Sequence, residues 1–157
     1  MEERNKLQIE QLVIGCRGFG RKIACIIDRN DRNIDQICVK INLPPLPHGL
    51  QYKDNILTEF RLEFAGKPIM LLHEQDLLSF VDLVSSPDDH LVQYVIDCRS
   101  VTACHIDGSE AHEFPEYEVR LYLECTHLCK ILTGQAFNME DPELKKIEME
   151  DLCVFVN

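Results

Sequence analysis

Tryptophan is absent from this chain, and phenylalanine and tyrosine together make up only 7% of it. No apolar run approaches the roughly 20 residues that a membrane-spanning helix needs. The first residues, Met1-Glu2-Glu3-Arg4-Asn5-Lys6, lack the basic start and apolar stretch of a secretory signal. Positive charge is also in short supply. With 16 Lys and Arg against 27 Asp and Glu the net charge is −11, which opposes binding to nucleic acid or to anionic membranes and favours solubility or a basic partner. A cytoplasmic or nuclear chain is expected, with its cysteines reduced or metal-bound and not paired in disulfides.

What the chain does have is length and apolar content. Its 157 residues are 45% hydrophobic, enough for one core and too few for two, so a single domain over residues 1–157 is expected. Residues 8–16 and 22–28 form β-rich runs around Arg17-Gly18-Phe19-Gly20-Arg21 and predict a hairpin. Ile37, Val39, Ile41 and Leu43 alternate as one face of a strand that ends at Pro44, Pro45 and Pro47. The cleanest half-buried strand sets Tyr117, Val119, Leu121 and Leu123 against Glu118, Arg120, Tyr122 and Glu124. Ser86-Pro87-Asp88-Asp89 is a helix start, so a helix is predicted over 87–99. Asp141-Pro142-Glu143 repeats that signal before a terminal strand, Leu152 to Val156. Residues 74–84 fit a helical stripe, while the preceding Arg61–Pro68 stretch suits strand–turn–strand. The whole predicts an α+β fold, a mainly antiparallel sheet with two to four helices packed on it.

Chemistry concentrates between Cys98 and Cys129, which hold four of the eight cysteines and three of the six histidines. Thiolates and neutral imidazoles are zinc ligands. Cys125, His127 and Cys129 share a face if they lie on a strand, and Cys104, His105 and His112 could meet them across a hairpin. The Cys-x₂-Cys knuckle usual in structural zinc sites is absent, so no cofactor is expected, with zinc as the exception that this cluster leaves open. A thiol–imidazole pair is the third outcome. None of the local signatures of thiol enzymes accompanies these cysteines, and catalysis is not expected.

Two loops complete the candidate sites. Arg17, Arg21 and Lys22 make one basic neighbourhood suited to a phosphate or RNA contact, and Gly15-Cys16-Arg17-Gly18 resembles the Gly-x-x-Gly loop of KH nucleic-acid-binding domains. Pro44-Pro45-Leu46-Pro47 is similar to the proline-rich ligands of WW domains, which makes Pro45, Leu46 and Pro47 partner-binding candidates. Phe114 and Pro115, set among acidic residues, are the second such pair. Phe64 to Leu71 with Leu78 and Phe80 is similar to a hairpin of checkpoint sliding-clamp subunits, and no family assignment rests on it. Together these features predict a non-enzymatic intracellular adaptor or regulatory domain that binds another protein. A zinc-stabilised or nucleic-acid-associated adaptor is the alternative, and a cysteine-dependent enzyme comes third.

Overall fold

The computed structural model describes residues 9–27, 34–85, 90–102 and 118–157. Strands dominate it. In chain order they are β1 (Ile9–Gln11), β2 (Val13–Ile14), β3 (Lys22–Ile27), β4 (Gln36–Leu43), β5 (Leu50–Tyr52) and β6 (Leu57–Phe64). Then follow β7 (Lys67–His73), β8 (Val81–Ser85), β9 (His90–Asp97), β10 (Val119–Cys125), β11 (Leu132–Gly134) and β12 (Asp151–Val156). The helices α1 (Glu74–Leu77), α2 (Arg99–Thr102), α3 (Leu128–Ile131) and α4 (Pro142–Lys145) are single turns.

Two five-stranded sheets form, ordered β1-β12-β4-β9-β8 and β2-β3-β10-β6-β7, and β11 pairs with β5 in a short ribbon. Each of these pairings is antiparallel. Setting aside the flanking β2 and β8, consecutive long strands cross between sheets except at the β6–β7 hairpin, and the orders that remain, β1-β12-β4-β9 and β3-β10-β6-β7, are those of a jelly roll. The alternation of side chains makes it a sandwich. Val119, Leu121, Leu123 and Cys125 of β10 turn inward, as do Val92, Tyr94 and Ile96 of β9 and Leu152, Val154 and Val156 of β12. One buried cluster runs between the sheets. Tyr94 ties them together across it: its hydroxyl donates to the Asp54 carbonyl at 2.9 Å and accepts from the Leu57 N–H at 3.2 Å.

This corrects the expected α+β class, because no helix layer covers either sheet among the described residues. The decisive segment is 90–97. Read as a helix, its apolar residues Leu91, Val92, Val95 and Ile96 form a stripe. The chain uses the two-residue period of Val92, Tyr94 and Ile96 instead, and pairs along all of β4 from Gln36↔Asp97 to Leu43↔His90. β-Branched and aromatic side chains suit that pleated surface. The Ser86–Asp89 start signal lies outside the described residues.

Other expectations hold with adjusted limits. The hairpin at the N-terminal end pairs Val13 with Cys25, but the first run breaks at Leu12, which is 77% exposed where the chain leaves one sheet for the other. Residues 61–68 are strand–turn–strand, closed by Ala65 at φ 51° and Gly66 at φ 78°, the left-handed pair of a tight hairpin turn. Residues 74–84 divide into α1 and β8. The Asp141 carboxylate accepts from the Glu143 N–H at 3.0 Å, capping a helix that lasts one turn before β12.

Candidate functional site

At one end of the second sheet the ladder is irregular. Glu124 pairs with Glu59 and Cys125 with Leu57, so Thr58 is an extra residue on β6, and its hydroxyl donates to the Glu124 carbonyl at 3.3 Å. Bulges re-aim side chains and often border functional sites. A cavity of about 310 Å³ opens there, lined by Thr58, Glu59, His73, Glu124, Cys125, Thr126, His127 and Lys130. Along its sheet side runs one cross-strand row, Lys22, Glu124, Glu59 and His73, contributed by β3, β10, β6 and β7.

The segment after β10 is held firmly. The Cys125 N–H donates to the Arg21 carbonyl at 2.9 Å, the Thr126 N–H to the Ile56 carbonyl at 2.7 Å and the Gly20 N–H to the Thr126 carbonyl at 3.1 Å. The His127 imidazole lies over Gly20, at φ +70°, where an added Cβ would collide with Nδ1. Glycine there makes room for the histidine.

The described part of the possible zinc set, Cys125, His127 and Cys129, does not converge. Cys125 is buried, whereas His127 and Cys129 are exposed on the loop and α3, and among the described residues no group of three or more Cys, His, Asp or Glu side chains is placed to hold a metal. The strand ends at Cys125, so the shared face that a longer strand would have provided is lost. Cys104, His105 and His112 lie outside the described residues. Burial pushes the Cys125 thiol up to about 12, with Glu124 adding to the shift, which leaves it protonated and a poor nucleophile at neutral pH.

The basic loop is occupied by its own chain. Arg17 Nη1 sits 2.6 Å from an Asp151 carboxylate oxygen, and Lys22 Nζ is 3.9 Å from Glu124, while Arg21 stands exposed. The Arg17 contact crosses from the β2–β3 loop to β12. The proline loop is partly sunk: Pro45 is exposed, but Leu46 and Pro47 are half-buried, with Leu46 packed on the core. The Tyr52 hydroxyl donates to the Pro44 carbonyl at 2.7 Å, and the Leu50 N–H to that of Pro47 at 3.2 Å. Phe114 and Pro115 lie outside the described residues.

Residues not singled out by motif stand on the outer face of the second sheet. Register places Ile14, Ala24, Tyr122, Arg61 and Leu71 in one row across all five strands. Ile14 is 49% and Leu71 45% exposed, and the Arg61 guanidinium stacks on the Tyr122 ring at 4.8 Å. The next row along the strands contains Ile26, Arg120 and Glu63. The clue to this face in the sequence was the polar half of the β10 alternation, Arg120, Tyr122 and Glu124.

No protein-family model matches the sequence, and neither does any curated protein. Solved structures do. A quasi-atomic model of the PBCV-1 virus capsid superposes with a TM-score of 0.65 at 18% identity, covering 96% of this chain and 40% of that one. The crystal structure of PBCV-1 VP54, fitted into a cryo-EM reconstruction of the virophage Sputnik, superposes with a TM-score of 0.65 at 17% identity and the same coverage. The chain thus spans about 40% of the length of each. At such identity the likeness is one of fold, and it overturns the expected α+β adaptor: this chain is a jelly-roll β-sandwich matched along nearly its whole length by part of a virus-capsid chain.

Proposed function

We propose that this chain is a non-enzymatic structural subunit, a capsid-like β-sandwich that works by assembling with other protein chains. The observation that carries this is the match of the jelly-roll strand order to capsid chains over 96% of the residues. A fold alone does not dictate a function. Two features of the site add support. The thiol beside the cavity is buried and protonated, which removes the obvious nucleophile. The outer face of the second sheet instead offers apolar side chains in register, and such exposed patches mark association surfaces.

Electron microscopy of the purified chain at rising concentration tests the proposal. Particles of uniform size and shape, larger than one sandwich, are expected. Fields of isolated monomers at every concentration would overturn it.

A further inference from the structure

We infer that the outer face of the second sheet is a two-fold interface with a second copy of this chain, with the axis running along β10. This deepens the assembly proposed above and rests on it.

The row Ile14, Ala24, Tyr122, Arg61 and Leu71 has an aliphatic residue at each end and an aromatic at its centre, on the middle strand β10. Turning a second copy about an axis parallel to β10 lays the two sheets face to face, about 10 Å apart. Ile14 then meets Leu71 of the other copy, Tyr122 meets Tyr122, and Ala24 makes room for the long Arg61 side chain. An interface of this isologous kind repeats each contact twice.

Charge fits the same operation. Among the described residues Glu59 makes no ion pair, and Lys22, with its side chain 77% exposed, reaches only Glu124 at 3.9 Å. The two-fold brings Lys22 of one copy over Glu59 of the other, twice. Of the like charges that meet on the axis, Arg120 arrives paired with Glu118 at 2.8 Å, and Glu124 sits beside Lys22, between the two Lys22–Glu59 contacts. A two-fold perpendicular to the strands would do worse. It would set Glu59 against Glu63, which Arg61 already pairs at 3.6 Å, and Lys22 against Ile26, so Glu59 would meet another carboxylate and Lys22 would gain no anion. The sheet edges are poorer candidates. β2 has two residues, and β7 carries Lys67, Pro68 and a register shift near its start, features that blunt an edge against further strands.

Sedimentation velocity on the full chain, the charge variants Lys22→Glu and Glu59→Lys, their double variant and Ile14→Asp decides the matter. Each single charge variant should weaken self-association roughly tenfold, because its contact occurs twice. The double variant should restore it, and Ile14→Asp should give a monomer with an unchanged melting temperature. If the native chain associates and none of the variants alters that, or if the double variant is weaker than both singles, this interface is wrong while assembly stands. A native chain that stays monomeric throughout removes both.

Discussion

The thiols of this chain sort by depth. Cys16 and Cys129 are exposed, whereas Cys25, Cys38, Cys98 and Cys125 are buried in the sandwich. A neutral alkylating reagent applied to the native protein, read out by peptide mass spectrometry, should therefore label Cys16 and Cys129 and spare those four until the chain unfolds. Rapid native labelling of Cys98 or Cys125 would contradict the packing. The same burial predicts an alkaline limit. Desolvation raises Cys25 to about 11 and Cys98 and Cys125 to about 12, from 9.0 in each case. A folded value above the unfolded one gives stability that is complete below pH 9 and is lost as pH rises toward the folded value, since only the unfolded chain can ionise. Thermal melts should accordingly fall from about pH 9 to about pH 12, and less steeply for Cys98→Ala. Equal slopes for the two proteins would count against the burial of that thiol. These depths also explain why a dense Cys/His stretch was a weak signal for zinc: inward alternation consumes Cys125, while the turn after it sends His127 and Cys129 elsewhere.

At the scale of elements, the bond network of Tyr94 is the clearest test of how the sheets are joined. Its ring fills the core from β9, and its hydroxyl serves Asp54 and Leu57 in the segment that enters β6. Tyr94→Phe keeps the ring but orphans the buried Leu57 N–H and removes the donor to the carbonyl of the exposed Asp54, so chemical denaturation should show a loss of about 1–3 kcal/mol with little change in slope. A loss below a few tenths would mean that water reaches those groups. β10 and β12 were legible because strict alternation buries one face of each, and β4 because Ile37, Val39, Ile41 and Leu43 alternate even though Cys38 on its other face is buried too. β9 was not, because Leu91, Val92, Val95 and Ile96 satisfy a helical stripe as well as a strand, and only pairing along β4 selects between them. Short windows lack that partner. The bulge at Thr58 was equally invisible, being a mismatch between β6 and β10 that neither strand carries alone.

For the whole molecule, the sequence favoured one core and weighed against broad nucleic-acid binding, but the jelly roll rests on which strands cross between sheets, and that is set by pairings far apart in the chain. β1 pairs with β12, and β3 with β10, so the order becomes readable only once the ends are brought together. The candidate face has the same origin. Ile14 and Leu71 look like ordinary surface aliphatics until register places them on one row with Tyr122. Net charge of −11 keeps separate copies apart at long range, so association should strengthen as salt screens that repulsion. Native mass spectrometry of the chain across concentration tests the central claim most directly. The account predicts even-numbered oligomers built from a dimer, and a single monomer mass at every concentration would contradict it.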